Sequence, residues 1–208
     1  MTASQSTVET FPAGAGLFAL VLAAGLSTRF GSPKQLADVQ GQAMVARAMR
    51  AAESVFGPRT VLVAGNEWPA VTAAAGRLAG YLVINNEFRR GLGSSIAAGV
   101  AAVADCSRGV MLLLADQPLV DASYLRQMAD TWQRDPQRIV ASEYRGVTGP
   151  PVIFPASCFD ELRAQDGEHG ARQVIRSNAA LLTTLDCVEA AVDIDYREDL
   201  EKLADRPS

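Results

Sequence analysis

Leu20-Val-Leu-Ala-Ala-Gly-Leu-Ser-Thr-Arg-Phe-Gly-Ser-Pro-Lys-Gln-Leu36 is the stretch from which the rest of the chain is read. A short apolar run ends in a turn of small residues, which leads into Arg29 and Lys34. Gly25 and Gly31 let the backbone bend tightly and come close to a ligand. Such a turn presents amide N–H groups to an anion, and two cations can neutralise it. The chemistry this suits best is a triphosphate held just past the end of a β-strand.

Working outward, apolar runs and helical spacing alternate along the whole chain. Leu17 to Leu22 reads as the first strand. Ala43 to Phe56, with Met44, Val45, Ala48, Met49 and Ala52 at helical spacing, reads as a helix. Thr60 to Ala64 and Tyr81 to Ile84 read as strands, separated by a helix over Glu67 to Leu78 with Pro69 in its first turn. A small-residue helix is predicted over Ser94 to Ala104. Gly109 to Leu114 is the most apolar run, as expected of a central strand covered on both faces. Asp121 can N-cap the helix that runs through Trp132.

Beyond it, Arg138 to Ser142 is predicted as a strand and Val147 to Phe154 as a strand returning antiparallel. Ala156 to Ala164 and Gly170 to Arg176 read as helical. Leu181 to Leu185 and Ala190 to Ile194 read as late strands, and Arg197 to Ala204 as a closing helix. This alternation predicts a three-layer α/β/α Rossmann-like fold with a parallel-dominated mixed sheet. Ligands of such folds sit beyond the carboxyl ends of the strands. The glycine loop and Asp116 both fall there, so they can share one crevice.

A chain of 208 residues can bury one substantial core. Residues 1–15 lack the basic start and long apolar run of a signal peptide and read as a flexible tail, with residues 16–208 as one domain. A net charge of −4 gives no electrostatic footprint for nucleic acid, and the apolar stretches are far short of a membrane span. Cys106, Cys158 and Cys187 are widely spaced, which suits inert thiols in a reducing cytoplasm. His169 is the only histidine, so no multi-histidine metal site is possible. Gly14-Ala-Gly-Leu-Phe-Ala19 precedes the first strand instead of following it, and Gly91-x-Gly93 lacks a third glycine or alanine. The phosphate loop lacks a Gly-Lys-Ser/Thr ending. Dinucleotide and P-loop readings are therefore disfavoured.

The pattern LAAGxSxRFGxxKxL resembles the signature of the nucleotidyltransferases related to molybdenum cofactor cytidylyltransferase. Gly91 to Gly99, Leu114-Ala-Asp-Gln-Pro-Leu119, Gly149-Pro-Pro-Val-Ile-Phe154 and Asp193-Ile-Asp-Tyr-Arg-Glu-Asp-Leu200 resemble further landmarks of that family, in family order. Together they cover roughly residues 17 to 204. The resemblance implies a cytoplasmic, Mg²⁺-dependent enzyme that transfers CMP from CTP to the terminal phosphate of molybdopterin. A molybdenum hydroxylase apoenzyme would receive the product.

In nucleotidyl transfer an acceptor phosphate attacks the α-phosphorus in line and pyrophosphate leaves, so positioning and charge stabilisation dominate. Lys34 is expected to stabilise charge developing at the α-phosphate, and Arg29 to hold the departing phosphates. Asp116, at the end of the apolar strand, suits Mg²⁺, which prefers oxygen ligands. A second carboxylate is expected from Asp193 or Asp195, placed on one face by strand alternation. The resemblance favours Asp193 as the ligand, and Asp195 can instead cap the closing helix.

The resemblance also implies that Ala23, Ala24, Gly25, Ser27 and Ser95 bind the nucleotide, although Ser94 and Ser95 could simply cap a helix. The LAAG form, where guanylyltransferases have LAGG, favours CTP. Gly149 and Pro150 resemble the acceptor-lining segment. Gly167-Glu-His-Gly-Ala-Arg172 resembles a GDRGAR element, with Arg172 retained and His169 standing where arginine is common. GTP as donor, a sugar or alcohol phosphate as acceptor, and a non-catalytic cofactor-binding chaperone are the other readings.

Overall fold

All seven residues of the first strand, β1 (Leu17–Ala23), are buried, because alternate side chains enter two different cores. Leu17, Ala19, Val21 and Ala23 face α1 (Met44–Phe56) and α4 (Ala122–Arg134), whose Met49, Phe56, Met128 and Trp132 complete that core. Phe18, Leu20 and Leu22 face α3 (Leu92–Val103), α5 (Phe159–Arg163) and α6 (Arg172–Ser177), which contribute Ile96, Val100, Leu162 and Val174. Helices thus cover both faces of one sheet, which makes the three layers. The computed structural model describes residues 14, 16–25, 27, 30–168, 170–194, 196 and 198–200. Of the expected tail only Gly14 falls among them.

Seven strands run in the order β5-β4-β1-β6-β8-β7-β9, with β4 at Thr60–Ala64, β5 at Tyr81–Ile84 and β6 at Gly109–Leu114. β7 spans Ile139–Tyr144, β8 Val147–Pro155 and β9 Leu182–Asp186. Only β8 runs against its neighbours, pairing antiparallel with both β6 and β7. The reversal has a consequence for function. Parallel strands bring their ends to the crevice, whereas β8 brings its beginning, so Gly149 and Pro150 lie beside the end of β6. α2 (Trp68–Ala75) stops where Gly76 turns left-handed (φ 84), short of the Leu78 expected.

A ribbon that the hydrophobic pattern does not announce joins β2 (Asp38–Val39) to β3 (Gln42–Ala43). Gln40 and Gly41 both have positive φ (54° and 83°), the two-residue turn that matches strand twist, and Asp38 Oδ1 accepts the Gly41 N–H at 2.9 Å. Asp121 caps α4 as expected, accepting the Tyr124 N–H at 2.8 Å. Among the described residues no helix is long and apolar enough to cross a membrane.

One expected strand is absent. Ala190 to Ile194 does not extend the sheet; Val188–Ala191 forms a 3-10 turn instead. The apolar spacing has another cause: Ala190 drops into the first core, and Ile194 packs with Phe30, Val39 and Met44. The backbone groups find partners off the sheet edge. The Ala190 carbonyl accepts from Gln117 Nε2 at 2.9 Å, and the Ile194 N–H donates to the Asp116 carbonyl at 3.1 Å. Strand alternation therefore cannot place Asp193 and Asp195 on one face. Asp195 lies outside the described residues, as do His169, Arg29 and all but 198–200 of the closing helix.

Candidate active site

The carboxyl ends of β1 and β6 open into a cleft of about 540 Å³ lined by Ala24, Gly25, Ser27, Lys34, Ser95 and Asp116. A lobe of about 370 Å³ continues it past Ala23, Gly25 and Gly31 towards Gly65 and Phe88. Residues separated by 82 positions in sequence are joined here: Lys34 Nζ lies 2.6 Å from Asp116 Oδ2, with side chains 15% and 19% exposed. Largely removed from water, such a pair gains more from its attraction than one on the open surface. The other carboxylate oxygen, Asp116 Oδ1, is buried and has no hydrogen-bond partner among the described residues. A buried acceptor left without a donor costs free energy until a cation or donor meets it.

The loop after β1 is held from inside. Buried Gln35 donates through Nε2 to the Gly25 carbonyl at 2.9 Å, and its Oε1 accepts from Ser27 Oγ at 3.3 Å. Ser27 Oγ accepts the Lys34 N–H at 2.9 Å, which ties the start of the loop to the lysine. The left-handed bends fall at Ser27 (φ 53) and Gly31 (φ 79). Gly25, expected to supply a tight bend, does not have positive φ. A Cβ there would stand 3.5 Å from Gln35 Nε2, an ordinary contact.

The Ser94 and Ser95 hydroxyls do not cap α3. Both accept from the buried amide of Asn85, at 2.9 and 3.0 Å, and Ser94 Oγ donates to the Glu87 and Gly91 carbonyls. Asn85 directly follows β5, and its Oδ1 accepts the Glu87 N–H. Sequence reasoning overlooked Asn85 and Gln35. A lone polar residue just past a strand's carboxyl end is the signal that could have found Asn85.

On the far side, Asp193 is brought beside Asp116 by the Ile194 hydrogen bond, not by a strand. Tyr144, another residue missed in the sequence, stands between these groups. Burial first, and then the charge of Asp193, push its phenol above the ordinary range, against the opposing influence of Gln117 and Arg172. Its hydroxyl fills the space a Gly149 side chain would need, 2.8 Å from that Cβ position. The phenol thus abuts Gly149 and feels the charges of Asp193, Arg172 and Asp116. Buried Gln117 donates to the Pro150 carbonyl at 3.3 Å, and the peptide between Pro150 and Pro151 is cis. Among the described residues no three His, Cys, Asp or Glu side chains converge as a metal cage.

The family model for the MobA-like NTP transferase domain matches residues 19–182. Purine catabolism protein PucB of Bacillus subtilis is 26% identical over 197 residues, covering 89% of this chain and 94% of PucB. Nicotine blue oxidoreductase of Paenarthrobacter nicotinovorans is 27% identical, covering 88% and 94%. Among solved structures, Rv0371c of Mycobacterium tuberculosis superposes with a TM-score of 0.81 at 27% identity, covering 94% of this chain and all of that one. Another structure of that protein is a complex with manganese. With the match spanning both the loop after β1 and Asp116, the chain belongs to the MobA-like NTP transferase family of nucleotidyltransferases.

Proposed function

We propose that residues 16–208 form one catalytic domain that transfers CMP from CTP to the terminal phosphate of a molybdopterin-type acceptor, with a divalent cation and release of pyrophosphate. The observation that carries the reading is Asp116, one oxygen on Lys34 and the other buried and unpartnered. Carboxylate oxygens suit Mg²⁺ or Mn²⁺, which take one or two protein carboxylates and complete their shell with substrate phosphates and water. Asp116 and Asp193 would hold the ion; when bound, it neutralises phosphate charge. The manganese complex of Rv0371c supports a divalent ion of this kind.

Lys34 leaves Asp116 for the α-phosphate and stabilises the charge that builds there during in-line attack. Arg29 is assigned to the departing pyrophosphate. Backbone at Ala23, Ala24 and Gly25, with Ser27 and Ser95, seats the nucleotide. Gly149, Pro150 and Arg172 line the acceptor side, where the Arg172 guanidinium suits a terminal phosphate. A molybdenum hydroxylase apoenzyme is the proposed recipient of the product, and the cytoplasm the proposed compartment.

The test is pyrophosphate release with each of the four NTPs, molybdenum cofactor and Mg²⁺. Release with CTP alone, lost in Asp116→Asn and on chelation, is expected. Release with GTP reassigns the donor. Silence with every NTP despite tight cofactor binding means a carrier. The likeness to nicotine blue oxidoreductase adds one control, oxidation or reduction of nicotine blue, for which no turnover is expected.

A further inference from the structure

The cleft contains two carboxylates, and the proposed transfer accounts for one. Asp116 is engaged by Lys34, whereas Glu168 lines the same cleft with no ion-pair or hydrogen-bond partner among the described residues. Its position is fixed through the backbone. Gly93 N–H donates to the Gly167 carbonyl at 2.9 Å, Gly167 N–H donates to the Arg90 carbonyl at 2.8 Å, and the Arg90 guanidinium holds Asp166 at 2.6 Å. Gly91 and Gly93 permit this approach, because their Cβ positions lie 2.6 and 2.7 Å from the backbone of Gly167 and Asp166. The Gly-Leu-Gly segment is thus a seat for the loop that carries Glu168. Glu168 Oε1 comes within 2.9 Å of where a Gly91 side chain would begin.

The Glu168 side chain is exposed, and a negative charge beside a polyphosphate opposes binding unless it meets a donor on the ligand. An ionised carboxylate can only accept hydrogen bonds, and phosphates offer it nothing. Ser95, one helical turn past Gly91, offers the complementary group. Its Oγ already accepts from Asn85, which leaves its proton to donate. An acceptor-only group and a donor lining one cleft match the edge of an amine-bearing base, with an N–H₂ next to an unprotonated ring nitrogen. Uracil presents the reverse pattern, a carbonyl next to an N–H.

We propose that Glu168 is a specificity-determining residue that accepts from the exocyclic amine of the nucleotide's base and so excludes UTP. The inference rests on a nucleotide occupying this cleft. It is tested by calorimetric titration of the full-length protein and Glu168→Gln with CTP, UTP and 2′-deoxy-CTP, with Mg²⁺ and without acceptor. The wild type is expected to bind CTP about tenfold more tightly than UTP. A glutamine amide can also donate to the uracil carbonyl, so the variant should bring the two within about threefold, mainly by gaining UTP. In both proteins 2′-deoxy-CTP should follow CTP.

A CTP-to-UTP ratio unchanged by the substitution overturns the inference. So does an effect of Glu168→Gln that disappears with 2′-deoxy-CTP, which assigns the carboxylate to the ribose. An effect confined to the acceptor KM during turnover assigns it to the acceptor heterocycle and overturns it equally. If the wild type prefers GTP or ATP, the cytidylyl reading falls. The role of Glu168 then stands only if Glu168→Gln erases that preference over UTP. Failure of every NTP to bind removes both.

Discussion

The two halves of the crevice are built by different means. On the side proposed for the donor nucleotide, β1 and β6 are parallel neighbours in continuous register, and their ends deliver the phosphate loop and Asp116 directly. On the side proposed for the acceptor, residues arrive from a reversed strand, the start of a six-residue helix and an irregular segment after a 3-10 turn. On the first side the ladder delivers the loop and Asp116, and buried Gln35 and Asn85 hold the loop and Ser95 in place. On the second, buried side chains replace the ladder: Gln117 bonds the carbonyls of Pro150 and Ala190, and Ser142 Oγ donates to the Pro151 carbonyl at 2.8 Å. A change on the first side should therefore alter chemistry, and a change on the second both geometry and stability.

The largest effect expected on that contrast is in the fold itself. Phe154 of β8 is fully buried in the core beneath α3, α5 and α6, and Phe154→Ala should cost about 3–5 kcal/mol in denaturant unfolding. Lys34→Ala, which leaves the carboxylate of Asp116 without its ion-pair partner, should lower stability modestly and lower kcat/KM on the order of 10²–10³. A near wild-type rate would remove the lysine from the mechanism. Gly93→Ala should cost about 1–3 kcal/mol, because its Cβ meets the Asp166 backbone at 2.7 Å, and should raise KM for nucleotide.

An alkaline loss of stability should follow, and it belongs mostly to the second half. Burial pushes the thiols of Cys158 and Cys187 above their ordinary 9.0 and the phenols of Tyr124 and Tyr144 above their ordinary 10.0. The unfolded chain releases these protons first, so above about pH 9 it binds fewer protons than the native state and stability falls as pH rises. Unfolding free energies at pH 8 and pH 10 measure it; a flat profile would show that these groups are not held neutral. The smallest effect is expected at Gly25→Ala, within about 0.5 kcal/mol in stability, since its Cβ would make only an ordinary contact. Any larger loss confined to nucleotide affinity would mark close approach of the ligand to that backbone.

The same contrast explains what could be read in advance. β1, β4, β5 and β6 are apolar runs bounded by turns, and α1 and α4 carry helical spacing, so local pattern and tertiary role agree there. Lys34 and Asp116 were legible because each follows such an element at a position set by topology. Ala190 to Ile194 alternates as a strand does, yet its alternation serves two separate cores, a distinction visible only once Gln117 and Asp116 have claimed its backbone. Tyr144, Asn85 and Gln35 carried no motif. Their importance comes from hydrogen-bond partners eight to ten residues away or from a glycine that leaves room. Gly91-x-Gly93, dismissed for lacking a third small residue, has its reason in a loop more than seventy residues later.

The hydrogen bond from Ile194 to the carbonyl of Asp116 also sets a timetable for biosynthesis. Strands β1 to β6 can pair as soon as Leu114 has left the ribosome, but Asp193 reaches the crevice only after a further 79 residues have been made. A truncated or nascent chain ending before that point would have the phosphate loop, the lysine and one carboxylate, but not the second. Under the proposed function, such fragments should capture nucleotide without consuming it.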